Sequence, residues 1–178
     1  MADIVTPEVR SRMMRGIRGK DTKPEVLLRK LLFASGFRFR LHRKDLPGKP
    51  DLVLPKWKAA IFVHGCFWHR HEVCSLTATP GTRTEFWRRK FEGNVERDAR
   101  NRDQLLAAGW RVATVWECGL RKTPDDIAAK VTAWLTCGGE QLAEFPDLSA
   151  ANTPATASPL GGGKRGRAPR RRVPSADL

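Results

Sequence analysis

Four residues with metal-binding side chains, Cys66, His69, His71 and Cys74, fall within nine positions; His64 stands just ahead of them and Cys118 far downstream. Thiolates and imidazoles prefer Zn²⁺, and a structural zinc takes four such ligands in a tetrahedron. Spacing alone does not choose between His69 and His71. A long aromatic loop with little core of its own is the kind of segment that such an ion staples. The second group with chemical potential is a carboxylate and a histidine. Asp51 follows Pro50 at the mouth of one apolar run, and His64 ends the next. In an antiparallel hairpin the start of one strand lies beside the end of the other, so these side chains can meet. A carboxylate there, helped by a backbone carbonyl such as that of Val63, suits Mg²⁺. That ion would stabilise a pentavalent phosphate and activate water, with His64 and His69 available to carry protons.

The elements that must position these groups are legible in the pattern. Asp21-Thr22-Lys23-Pro24-Glu25 opens a helix with capping-box spacing between Thr22 and Glu25 and Pro24 in its first turn. This accounts for Glu25 structurally. Leu28, Leu31, Leu32 and Ser35 share a face, and Gly36 ends the helix. Phe37, Phe39 and Leu41 alternate with polar residues, which predicts a half-buried strand. Strands over 51–54 and 59–64 follow, joined by Pro55-Lys56-Trp57-Lys58. Residues 65–83 read as a loop, 84–108 as a long charged helix stopped by Gly109, and 110–116 as a buried strand. Thr123 and Pro124 open a last helix that runs to Leu135. The expected fold class is therefore α/β.

Charge narrows the partners. The 178 residues carry 33 Lys and Arg against 19 Asp and Glu, a formal net charge of +14, which draws polyanions and nucleic acid first among them. Neither a transmembrane run nor a signal peptide is visible, so a cytoplasmic protein with no membrane partner is expected. In a reducing compartment the four cysteines are expected to bind metal rather than to form disulfides, with Cys137 left over. Residues 1–20 read as a basic arm that orders on DNA, 21–138 as the folded domain, and 139–178 as a disordered tail. Positions 151–178 hold six basic residues against Asp177 alone; this net +5 leaves +9 elsewhere and adds salt-sensitive affinity for DNA without sequence reading.

Several runs together resemble a known family. Arg12-Met13-Met14-Arg15, Pro47-Gly48-Lys49-Pro50-Asp51, Phe62-Val63-His64-Gly65-Cys66-Phe67-Trp68-His69, Thr82-Arg83-Thr84-Glu85-Phe86-Trp87, Asn94-Val95-Glu96-Arg97-Asp98, Gly109-Trp110-Arg111-Val112 and Val115-Trp116-Glu117-Cys118 are similar, in order and spacing, to the bacterial very short patch repair endonucleases. The resemblance spans about residues 1–137. It implies a restriction-endonuclease-like core, a central mixed β-sheet flanked by helices, with a structural zinc site. It further implies Mg²⁺-dependent nicking of DNA 5′ to the T of a T:G mismatch left by deamination of 5-methylcytosine. By the same resemblance Asp51 and the Val63 carbonyl hold Mg²⁺, and Glu25, His64 and His69 complete the active site. Cys66, His71, Cys74 and Cys118 hold Zn²⁺. The wider superfamily ends this strand with an acidic residue and a lysine two apart. Here the positions read Phe62-Val63-His64, the variant expected of the mismatch family.

A T:G wobble pair opens easily, and aromatic side chains can detect it by wedging into the stack. Phe67, Trp68 and Trp87 fit a wedge from the major groove, and Met14 one from the minor groove. Lys90 and Asn94, one turn apart on the long helix, are placed to touch bases or phosphates. The expected partners are T:G-mismatched duplex DNA, with mismatch-repair proteins and a companion cytosine methyltransferase around it. A monomer suffices for one nick. The alternatives are a non-catalytic zinc protein that recruits repair factors to DNA, and a nuclease of the same fold aimed at another DNA structure.

Overall fold

The computed structural model describes residues 19–146 and, ahead of them, Thr6, Glu8, Val9, Arg12 and Gly16. Met14 and the tail beyond 146 lie outside the described residues, so the readings placed on them stand as expectations.

The chain runs α1 (Lys23–Ala34), β1 (Arg40–Leu41), β2 (Leu52–Leu54), a 3₁₀ turn (Pro55–Trp57), β3 (Ala59–His64), α2 (Cys66–His69), α3 (Thr84–Ala107), β4 (Arg111–Trp116), α4 (Glu117–Lys122), α5 (Pro124–Cys137) and β5 (Leu142–Phe145). The strands form one mixed sheet in the order β1-β2-β3-β4-β5. β1, β2 and β3 pair antiparallel, while β3–β4 and β4–β5 pair parallel. The long connections carry helices to both faces, as parallel pairs require.

Period-2 alternation along β3 and β4 divides the core. Ile61, Val63, Ala113 and Val115 meet Leu28 and Leu32 of α1 and Ile127, Val131 and Leu135 of α5. On the other face Ala60, Val112 and Phe62 meet Leu105 and Leu106 of α3. His64 and Trp116 belong by parity to the α3 face, at the ends of two paired strands (His64↔Trp116). That end of the sheet is where the chemistry gathers.

Four local expectations change. The strand expected over 37–41 shrinks to Arg40–Leu41, because Phe37 closes the preceding helix. Gly36 is left-handed (φ 89°), and the Phe37 N–H donates to Leu32 C=O at 3.0 Å, so it is not available to a sheet. Thr22 holds the N-cap position of α1, but its side chain does not cap a helix N–H. Its hydroxyl donates to Glu25 Oε1 at 2.8 Å, and the Asp21 N–H donates to Glu25 Oε2 at 2.8 Å. Helix α2 arises inside a stretch read as loop, and α4 fills residues 117–122, to which the sequence reading gave no element. Finally, β5 lies beyond the domain end expected at 138. Leu142–Phe145 pairs with β4, although Ala143 alone of its four residues is buried.

The loop that delivers Asp51 is pinned at Gly48. Its φ is 71°, and a Cβ there would meet Asn101 Nδ2 at 2.8 Å. Gly48→Ala is expected to lose roughly 1–3 kcal/mol through left-handed strain and that clash. An unchanged midpoint in urea unfolding would show that the loop yields freely.

Candidate active site and metal centre

At the ends of β2 and β3 the Asp51 carboxylate takes over where the ladder stops: Val63 N–H donates to its Oδ2 at 2.8 Å. Burial pushes the Asp51 pKa up to about 6 against the opposing pull of the Val63 hydrogen bond, with Glu25 adding to the rise. Glu25, only 4% exposed, sits on α1 among Thr22, Asp21 and Arg29. His42 completes this acidic side, with its Nδ1 3.8 Å from Asp51 Oδ1.

The two histidines lie together. His64 and His69 stack with ring centroids 3.8 Å apart and planes 11° from parallel. β3 supplies the first, and a single turn of helix after Gly65 returns the second over it. Burial, then the neighbouring His69, lowers the His64 pKa to about 3, so it is neutral at physiological pH. His69 Nδ1 makes a short contact with Asp98 Oδ2 of α3. Burial works against the Asp98 carboxylate, but the His69 hydrogen bond and charge outweigh it and hold its pKa below the ordinary value. Sequence reading gave Asp98 no role. The signal available was its i,i+4 spacing from Asn94, which puts both on the helix face that meets the loop.

Two residues beyond His64 a cluster of thiols and an imidazole begins. The ligand atoms of Cys66, His71, Cys74 and Cys118 all lie within 4.8 Å of one another. His71 turns its Nδ1 toward Cys118 Sγ (3.3 Å) and Cys66 Sγ (3.7 Å), which makes it, and not His69, the fourth member. Burial pushes the Cys66 thiol up to about 12, and the adjacent Cys118 contributes to the rise. Burial raises the Cys118 thiol too, whereas at Cys74 burial is outweighed by hydrogen bonds that lower it; a cation among them would favour the thiolate form of all three. His71 Nε2 is buried with no hydrogen-bond partner among the described residues, and the ring stacks on Trp116 at 4.2 Å. These donors could hold one tetrahedral ion.

The aromatic residues form a packed group. Phe67 lies edge-on to Trp68 (5.0 Å), Phe91 (5.1 Å) and Trp87 (5.6 Å). Trp87 is 6% exposed and acts here as core, whereas Phe67 and Trp68 are half-buried. The short loop thus finds a core against α3 that its sequence did not advertise. Lys90 is exposed on α3. Asn94 is 6% exposed, and its Nδ2 donates to the Trp68 carbonyl at 2.9 Å, so it braces the loop. Asn94→Ala would leave that carbonyl without its partner and is expected to lose about 1–3 kcal/mol. Faster amide hydrogen exchange over residues 65–70 is the sign of it, and unaltered exchange would deny the brace.

Comparison with known proteins gives this arrangement its class. A family model described as DNA mismatch endonuclease Vsr matches residues 2–75. The chain is 50% identical over 120 residues to the type II nicking enzyme V.XorIIP of Xanthomonas oryzae, covering 67% of this chain and 88% of that one. It is 44% identical over 142 residues to the DNA mismatch endonuclease Vsr of Escherichia coli, covering 78% and 90%. Among solved structures, the catalytic domain of the homing endonuclease I-Bth0305I matches with a TM-score of 0.45 and 22% identity, over 64% of this chain and 93% of that one. The protein is a hydrolase that cuts DNA internally, an endonuclease. Within that class the chain belongs to the DNA mismatch endonuclease Vsr family. Among the described residues no helix is long and apolar enough to cross a membrane.

Proposed function

We propose that this endonuclease nicks one strand of duplex DNA 5′ to the T of a T:G mismatch formed by deamination of 5-methylcytosine, in a Mg²⁺-dependent hydrolysis. One observation carries the reading: a half-buried carboxylate, Asp51, held on the Val63 N–H in a chain whose relatives include a mismatch endonuclease and nicking enzymes. The donor set fits the ion. A carboxylate raised to about 6 gains from a divalent cation beside it, and hard oxygen ligands suit Mg²⁺.

Asp51, with the Val63 carbonyl, would hold Mg²⁺. Bound there, the ion would supply charge for the phosphorane-like transition state and a more acidic water. The chain's own residues do the rest. Asp98 fixes the His69 ring through Nδ1, so that Nε2 is left to take or return a proton, the logic of a carboxylate-oriented imidazole. His64, kept neutral by burial, can donate or accept a hydrogen bond at the scissile phosphate without adding charge. Glu25 sets the acidic side. Zn²⁺ would be held by Cys66, His71, Cys74 and Cys118 as a structural ion that fixes the loop carrying His69, Phe67 and Trp68.

Phe67 and Trp68 are half-buried and supply the wedge, with Trp87 beneath them as a floor; Met14 and the basic tail join on DNA, and Lys90 meets phosphate. The enzyme acts in the cytoplasm as a monomer, alongside a cytosine methyltransferase and mismatch-repair proteins. The test is a labelled duplex with one T:G pair in candidate methylation contexts, with Mg²⁺, a T:A control and Asp51→Ala. A single nick beside the T, absent from T:A and from the variant, is expected. Binding without cleavage in every context would favour a recruiting protein instead.

A further inference from the structure

One face of α3 runs past each part of the site. Asn94 donates to the Trp68 carbonyl, Asp98 holds the His69 ring, and Asn101 lies against Gly48, three residues before Asp51. Arg97 stands within this row, three residues from Asn94 and four from Asn101, on the same side of the helix. Its side chain is 47% exposed, and its Nη2 lies 3.6 Å from Asp98 Oδ1, an ion pair too long to be a hydrogen bond. Other arginines of α3 are committed: Arg88 and Arg89 donate to Glu85, Arg88 to Glu92 as well, and Arg102 to Asp103. Among the described residues no hydrogen bond occupies the Arg97 fork. Its charge still reaches the histidine pair: burial and then His69 lower the His64 pKa, and Arg97 adds to the fall against the pull of Asp98.

We propose that Arg97 receives the scissile phosphodiester at the histidine pair, donating from its guanidinium to a non-bridging oxygen. Two features support it. The first is charge. A phosphate entering between Asp51 and Asp98 meets carboxylates from both helices that flank the sheet. His64 is neutral and offsets neither, so the histidine side needs a cation of its own, and Arg97 is the guanidinium paired with Asp98 there. The second is readiness. A planar fork with unoccupied donors matches two phosphate oxygens at once, which a lysine's single point does not. Asp98 then serves twice: Oδ2 orients His69, and Oδ1 keeps Arg97 beside it through a contact loose enough for phosphate to replace. As water adds to phosphorus, charge grows on the non-bridging oxygens, and the hydrogen bonds from Arg97 strengthen with it.

The inference rests on the nicking reaction proposed above, and the experiment separates the two. Zinc-loaded full-length protein is bound, with Ca²⁺ in place of Mg²⁺, to T:G duplexes in which one linkage is an uncharged methylphosphonate. The scissile linkage and its two neighbours are replaced in turn. At the scissile linkage, wild type is expected to prefer the phosphodiester by roughly tenfold to a hundredfold more than Arg97→Gln does. At the neighbours the two proteins should not differ. On the ordinary duplex with Mg²⁺, Arg97→Gln is expected to slow single-turnover nicking about 10²-fold. The substituted side chain is half exposed, so no core is disturbed; circular dichroism and zinc content verify folding, and Arg97→Met serves as a second uncharged variant. The same preference in wild type and variants, a difference found only at a neighbouring linkage, or undiminished nicking would overturn the Arg97 inference alone. Wild type that leaves the T:G duplex uncut, or Asp51→Ala that cuts it, would overturn the proposed reaction and this inference with it.

Discussion

Asp51→Asn is expected to abolish nicking while making the metal-free protein more stable at neutral pH. The catalytic loss follows from removing the charged ligand of a Lewis acid worth several kcal/mol, about 10³-fold or more at 1.36 kcal/mol per decade. The gain in stability follows from burial. Asp51 titrates near 6 in the folded chain, against an ordinary value of 3.8. Between those values the folded state binds a proton that the unfolded state has already lost. Stability therefore falls as pH rises through this window, and the cost is complete above about pH 6. Two pKa units correspond to about 3 kcal/mol. Asn carries no charge to desolvate, and its Oδ1 can still accept the Val63 N–H. Urea unfolding in chelator-treated buffer should show the variant ahead of wild type by on the order of 1–3 kcal/mol at pH 7.5, with no difference near pH 4. A variant weaker than wild type at pH 7.5 would mean that the carboxylate is a structural member and not a strained ligand.

Stripping the ion from the thiol cluster should have a comparably large effect in the opposite direction. Structural zinc contributes on the order of 10 kcal/mol or more of binding free energy in isolated finger peptides. Even a third of that, returned on removal, lowers the thermal midpoint of a chain this size by roughly 10 °C. The expected sequence is loss of zinc to a strong chelator, exchange of amides throughout 65–83, and loss of nicking with the β-sheet still present. Cys118→Ser should reproduce it, since Cys118 Sγ lies 3.3 Å from His71 Nδ1 and ties the loop to the end of β4. Purified protein that contains no zinc, yet melts and cleaves normally, would remove the structural role.

What could be read from sequence and what could not divides along physical lines. The α1, β2–β3, α3, β4 and α5 segments were legible because each has a clear period and a turn or cap at its limits. The 59–64 strand matched residue for residue. β5 was not, since four residues with one buried side chain, set between two glycines and a proline, carry almost no periodic signal. The thiol cluster was legible from density, but His71 was separated from His69 only by resemblance, and geometry now gives the reason: α2 turns His69 back over His64, while His71 points at the thiols. The partners that lie far apart in sequence were invisible. Asp98 reaches His69 across 29 positions, and Arg29 reaches His42 across 13. The brace that Asn94 supplies was invisible too, because only tertiary packing puts its amide under the Trp68 carbonyl.

The parallel pairing of β3 with β4 sets His64 beside Trp116, and this indole serves both halves of the site. Its edge meets the His64 ring at 5.4 Å and its face covers His71 at 4.2 Å, while its N–H is held by Glu144 of β5. A single fluorophore therefore forms the partition between the thiol cluster and the histidine pair. Light emitted from that partition depends on what lies on either side of it. Metal entering the cluster would withdraw electron density from His71, and DNA arriving at His64 would exclude water from the opposite edge. Filling of one compartment and occupation of the other are both expected to change the emission of this indole, read as the difference between wild type and a Trp116→Phe variant that keeps the other five tryptophans.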